Sequence, residues 1–444
     1  MSGSQSSASA DKQLIYAALV LGSLVVVVTC GTATPEPIAP LPQTSSGQRT
    51  ETGGQVAHAA APDATTSATA PASGTVVAAL ESAAPSEEVG PKGPLASFRA
   101  AMAGLAAGQR KRPVRVTWLG DSHTAADFWT DAVRQRLGRV APAGGPGFVY
   151  LGLEPYRHSG VSVDLDGDWQ HLPHAPSTSS KTADGVFGIG GVRTSFGSGD
   201  AKLRLTPRAR TLLGSARWTV YYRMPDARTR FRVKLGDKTK TVKSKRPGRI
   251  ERTLLEGAAS DTLTLEPGAG RPEFFGAVVE GSEPGVVLDT LGINGARVAT
   301  ALAWEEDSFV DLLKQREPDL VVLAYGTNEA GANTAVEKYR AHFEALMKRV
   351  RRAAPDASCA LFGPTDWVRN EDRIIAIDAL ERSVAGALGC AYFSVFDAMG
   401  GRDSITDWAK QSPPLAAPDH IHLTPKGYGV IGQATADFLL GASK

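Results

Sequence analysis

The chain has 444 residues, too many for one ordinary small domain, so two or three units are expected. Its 48 basic and 46 acidic side chains leave a formal net charge of +2, which withholds bulk electrostatic support from a nucleic-acid-binding reading. Three cysteines exclude a disulfide scaffold, and 42% hydrophobic content is ample for a core.

Residues Leu14 to Cys30 form an apolar stretch without a charge, short for a membrane span and long for a signal-peptide core. Lys12 supplies a positive flank that Asp11 partly cancels. Three readings stay open: a cleaved signal, an uncleaved membrane anchor, or a lipoprotein signal with Cys30 as the lipidated residue. A buried core helix is the duller alternative, disfavoured because the flanking sequence cannot fold around it. The expectation is export to the periplasm or cell envelope, with residues 1–32 as signal or anchor and N-terminal membrane association. Residues 33–93 are rich in Ala, Thr, Ser and Pro and lack aromatic side chains, so they read as a disordered tether.

Order is expected from Leu95. A helix over Pro94–Gly108 precedes the strand Val114–Leu119, the turn Gly120-Asp121-Ser122 and a helix over Ala125–Arg139. From Pro155 to Gly285 the text changes to short alternating runs, clearest at Arg217–Arg223, Arg230–Leu235, Asp261–Leu265 and Phe274–Val279. Period-two alternation between turn residues indicates an antiparallel β-sandwich. Strands at Val286–Gly292, Asp319–Ala324, Ser358–Phe362 and Ala391–Phe396 then alternate with helices at Ala299–Gln315, Ala335–Ala354 and Arg373–Gly389. The fold class is therefore α/β: a three-layer parallel-sheet domain over residues 94–154 and 286–444, interrupted by an antiparallel β-sandwich over residues 155–285. Cys359 and Cys390 each begin a strand-like run; a bridge and two buried thiols are both open.

A serine at the carboxyl end of a strand lies where α/β sheets bind ligands. Ser122 alone is a weak nucleophile; it needs a base, and the base needs an orienting group. Asp419-His420-Ile421-His422 supplies an imidazole and a carboxylate three residues apart. His420 is the rival base, but the spacing to Asp419 and the following Leu-Thr-Pro favour His422. Ser122 could instead merely cap the next helix, and Asn328 could merely close a turn. Asp121 reads as a structural loop residue, and His123 as a residue that lines the cleft or orients its neighbour. His171 and His174 lie near Asp164, Asp166 and Asp168, yet the acidic spacing lacks the terminal glutamate of an EF-hand loop, so a solvated turn is expected rather than a metal site.

Four blocks together resemble the GDSL/SGNH hydrolases: Gly120-Asp121-Ser122 with His123 in place of the usual leucine, Ile293-Asn294-Gly295-Ala296, Tyr325-Gly326-Thr327-Asn328-Glu329, and Asp419 to His422. The resemblance implies Ser122, His422 and Asp419 as catalytic residues, with the N–H groups of Ser122 and Gly295 and the amide of Asn328 as the oxyanion hole. Gly190 or Gly191 is a rival to Gly295. It implies ester hydrolysis through an acyl-enzyme without a cofactor or metal. The inserted β module, looking like a carbohydrate-binding module, and the text Gly-Asp-Ser-His-Thr-Ala-Ala-Asp-Phe-Trp are similar to the peptidoglycan O-acetylesterases. The expected partner is thus an acetylated cell-envelope polysaccharide. Trp169, Trp218, Tyr221 and Tyr222 are candidates to stack on its sugar rings, although alternation makes about half of them core. The alternatives are an O-acetyltransferase using the same residues, a non-catalytic wall-glycan-binding protein, and a less specific lipase or thioesterase.

Overall fold

The computed structural model describes residues 93–208, 212 and 214–442; the apolar stretch Leu14–Cys30 and the linker up to residue 92 lie outside the described residues. Six parallel strands are the frame of the site: β1 (Val114–Gly120), β2 (Ala143–Gly145), β3 (Val286–Gly292), β4 (Leu320–Ala324), β5 (Ser358–Phe362) and β6 (Ala391–Phe393). Their order across the sheet is β6-β5-β4-β1-β3-β2.

Both faces of this sheet are covered, which is why its strands read as continuous apolar runs. All of β4 is buried. Leu320, Val322 and Ala324 point into a core shared with the helices Ala96–Ala106, Phe128–Leu137 and Pro425–Leu440. Val321 and Leu323 point into the opposite core, shared with Glu306–Arg316, Val336–Ala353 and Glu371–Leu388. Helix, sheet and helix make the three expected layers.

Three expected elements are each divided. The helix expected over Ala299–Gln315 is two, Val298–Leu302 and Glu306–Arg316. Glu305 starts the second by accepting the N–H of Asp307 at 3.1 Å and of Ser308 at 2.7 Å. Both pieces bury apolar residues in one core, so the period runs through the break. The strand expected over Ala391–Phe396 ends at Phe393; Ser394 accepts the N–H of Asp397 at 2.9 Å and opens a short helix, Val395–Met399. The helix expected over Ala125–Arg139 is likewise split into Ser122–Ala125 and Phe128–Leu137, with Asp127 at φ 53° between them.

Between β2 and β3 the chain makes two antiparallel sheets. One orders Lys238–Lys243, Arg230–Leu235, Leu263–Ala269, Lys202–Pro207 and Val161–Asp166; the other orders Ile250–Ala258, Ser215–Arg223, Glu273–Gly281, Arg193–Phe196 and Trp169–Leu172, with Gly147–Val149 also paired to Glu273–Gly281. Trp218, Phe231, Phe274, Leu203 and Leu263 share the core between them. The second sheet is also covered on its other face, where Tyr221, Phe275 and Val278 join the core of the α/β domain. That double coverage corrects the sugar-stacking expectation: Trp218, Tyr221 and Tyr222 are all buried, because at the Tyr221–Tyr222 end of their strand both faces of the sheet are covered. Trp169 is half-buried against Phe196 and Phe274.

Cys359 and Cys390 are bridged, with Cα atoms 4.8 Å apart, tying β5 to the start of β6. Asp164 and Asp166 pair with Arg204 on the neighbouring strand, at 2.8 and 2.7 Å, rather than with the histidines.

Candidate active site

Strand register sets the site. Gly120 lies level with Gly292 on one side and Ala324 on the other, so the loops after β1, β3 and β4 emerge side by side. The chain leaves β1 toward β2 and later returns to the opposite flank as β4, making this the point where strand order reverses and a crevice opens. Close approach demands glycine here: a Cβ on Gly292 would sit 2.2 Å from the backbone N of Ala125. The short helix carrying Ser122 can therefore lie against the end of β3.

Asp121 caps that helix by accepting the N–H of His123 at 3.0 Å, and Ser122 is its first residue. His422 reaches Ser122 from a loop far along the chain: Nε2 is 2.8 Å from the serine Oγ. His422 Nδ1 lies 2.7 Å from Asp419 Oδ2, while Asp419 Oδ1 accepts the backbone N–H groups of Ile421 and His422 at 3.0 Å each. With Nδ1–H donating to Asp419, Nε2 is left to accept the hydroxyl proton of Ser122. Burial works to raise the Asp419 pKa, but the hydrogen bonds from the side chain and backbone of His422 outweigh it and hold the carboxyl below its usual range. The loop is fixed by Ala417 N–H to His422 C=O at 2.8 Å and by Thr424, which caps the helix Pro425–Leu440. His420 takes a left-handed conformation in the same turn (φ 54°), and it is His422 that meets Ser122.

Asn328 joins all three strand loops. Its Nδ2 donates to Ala296 C=O at 3.1 Å and to Asp121 Oδ2 at 3.3 Å. Gly295 is exposed with φ 76°, whereas Gly190 and Gly191 are buried against Tyr150 and Trp304. A Cβ on Gly295 would lie 3.4 Å from Cβ of Ser177, so a segment of the β module stands beside this loop. Thr300 pins that segment by donating to Ser177 C=O at 3.0 Å. No spacing in the sequence pointed to Ser177.

The ground beneath is acidic. Burial pushes Asp121 up to about 7, against the opposing pull of the His123 N–H, the charge of His422 and the Asn328 amide. Glu329, unnoticed in the sequence except as the end of its block, is buried and accepts the N–H of Val298 at 2.8 Å and of Gly326 at 3.2 Å. Burial, with Asp121 nearby, raises it to about 8. His123 is buried rather than lining an open cleft, its ring centre 5.1 Å from that of His422.

Residues 255–430 match the GDSL-like lipase/acylhydrolase family. A solved structure described as a peptidoglycan O-acetylesterase in action is similar at 26% identity and a TM-score of 0.67, over 78% of this chain and 95% of that one. Over that span the chain resembles the GDSL-type esterases. The matched family span takes in Gly295, Asn328, Asp419 and His422 of this esterase but not Ser122, which the inserted module separates from the other blocks. A family two carbohydrate esterase from Cellvibrio japonicus is similar at 10% identity and a TM-score of 0.26, over 63% of this chain and 99% of that one. A lipase/acylhydrolase from Enterococcus faecalis is similar at 18% identity and 0.29, over 36% and 78%. No curated protein matches the chain in sequence.

Proposed function

We propose that this esterase removes O-acetyl groups from a cell-envelope polysaccharide, with peptidoglycan as substrate. Ser122 Oγ attacks the acetyl carbonyl as its proton passes to His422 Nε2. Asp419 keeps the imidazole in the accepting tautomer and offsets its developing charge. The N–H groups of Ser122 and Gly295 and the amide of Asn328 hold the oxyanion; the longer of Asn328's two bonds, at 3.3 Å to Asp121, is the one that gives way. Collapse expels the sugar oxygen, which takes the proton from His422 and leaves Ser122 acetylated. Water, deprotonated by the same imidazole, then releases acetate. The side chains of His422 and Asp419 are 37% and 47% exposed, which favours hydrolysis over acetyl transfer to a second sugar.

The observation that carries this reading is the alignment of Ser122, His422 and Asp419 within hydrogen-bond distance at the strand-order reversal. The likeness to a peptidoglycan O-acetylesterase over most of both chains supports the substrate. Export, with the N-terminal stretch as signal or anchor, is part of the proposal; the bridged cysteines support it, since disulfides persist in oxidising compartments. The test measures acetate released from O-acetylated peptidoglycan and from O-acetylated xylan, with a glycan acceptor added to detect transfer. The expected outcome is preferential release from peptidoglycan, abolished in Ser122→Ala. Wild-type hydrolysis of an aryl acetate by Ser122→Ala would end the reading.

A further inference from the structure

We infer that His123 is a positioning residue whose neutral imidazole carries a directional hydrogen-bond chain, clamping the loop that bears His422 to the turn that bears Ser122. The inference rests on the proposed roles of Ser122 and His422. Nδ1 of His123 lies 2.9 Å from the hydroxyl of Tyr428, and Nε2 lies 3.4 Å from the hydroxyls of both Thr365 and Thr327. Thr365 in turn donates to the carbonyl of Ile421 at 3.2 Å.

The chemistry of the far end settles the direction of the whole chain. A carbonyl only accepts, so Thr365 spends its single proton on Ile421. Thr365 must then accept from His123, which places the imidazole proton on Nε2. Nδ1 is left as an acceptor and takes the proton of Tyr428. The chain therefore runs Tyr428 to His123 to Thr365 to Ile421. Ile421 immediately precedes His422, and Tyr428 lies in the first turns of the helix that follows it. His123, one residue past Ser122, thus holds the base-bearing loop on both flanks. Burial, with His422 acting in the same direction, pulls the His123 pKa down to about 3, so the ring stays neutral and able to accept. Leucine, usual at this position in the family the motifs resemble, has no polar atom and could not complete such a chain.

The test uses the full chain as wild type, His123→Leu and Thr365→Val. Two readouts are taken: kcat and KM on an aryl acetate, and the low-field proton resonance of the hydrogen bond between His422 Nδ1 and Asp419. His123→Leu is expected to lower kcat about 100-fold, the scale of a 1 Å misplacement, with KM little changed. Its low-field resonance broadens as the ring loses its fixed place. Thr365→Val, missing one hydroxyl, shows the same effects at about one-tenth the size and carries the test if His123→Leu does not fold. Wild-type kcat, a change in KM alone, or a sharp unshifted resonance in the folded variants overturns the inference. An inactive wild type fails the esterase reading instead, and the resonance still reports whether His422 is clamped.

Discussion

The carboxylate of Asp419 holds His422 by both of its oxygens: Oδ2 lies 2.7 Å from the ring nitrogen Nδ1, and Oδ1 accepts the residue's own backbone N–H at 3.0 Å. The proposed base and its orienting group are thus assembled locally, in one turn, and only the meeting with Ser122, 300 residues away, requires the whole fold.

Asp419→Asn keeps the shape but turns a donor toward a donor, and the imidazole is pushed into the wrong tautomer. Steady-state kinetics on an aryl acetate should show kcat lower by on the order of 10,000-fold, with KM barely altered. The variant should unfold at close to the wild-type temperature, because the carboxylate is half exposed.

Asn328→Ala removes one proposed oxyanion donor. Both kcat and kcat/KM are expected to fall equally, by about 100- to 1,000-fold, the pattern of an interaction made only in the transition state. A rise in KM alone would assign the amide to ground-state binding.

Stability should decline as pH rises from about 6.5 to 8. Asp121 ionises near 3.8 in an unfolded chain and about 7 in the fold; Glu329 moves from 4.5 to about 8. In that window the folded chain binds the extra protons, so their stabilisation is complete at low pH and lost on the way up. Groups shifted the other way act at lower pH: His123, pulled from 6.5 down to about 3, opposes the carboxylates below about pH 6.5, where the unfolded chain binds its proton and the folded chain does not. Glu280 is drawn down to about 2 by the charge of Arg316, against its own burial, and loses its contribution as pH falls below about 4. Denaturant titrations across pH should therefore show stability lost between about pH 6.5 and 8, and Glu329→Gln should flatten that decline.

Arg316 stands between two buried carboxylates, with Nη2 2.8 Å from Glu280 and Nε 2.8 Å from Asp289. It ties the module strand Glu273–Gly281 to β3. Arg316→Leu strips one partner from both acids and should cost about 3–5 kcal/mol in denaturant unfolding. The folded fraction should retain wild-type kcat, since Arg316 lies outside the proposed site.

Much of the architecture was legible because it depends on local period. Continuous apolar runs announced β1, β3, β4 and β5, and strict alternation announced the antiparallel module. The errors came where two structures share one period. The apolar spacing passes straight through the break at Glu305, and Val395 and Phe396 are as buried in a helix as they would have been in a strand. Alternation likewise predicted that some of Trp218, Tyr221 and Tyr222 would face outward, but at that end of their strand the sheet is covered on both sides.

Residue order by itself determined the chemical inventory: a serine after a strand, an amide and a glycine after two others, and an Asp-to-His spacing that closes on itself within one turn. Those features need only neighbours. Tertiary structure alone decided that His422 comes within hydrogen-bond reach of Ser122, that His123 is buried between two threonines and a tyrosine, and that Ser177 of the module stands beside Gly295. Each is a contact between segments far apart in the chain, set by strand register and by which faces are covered, and no local period records it.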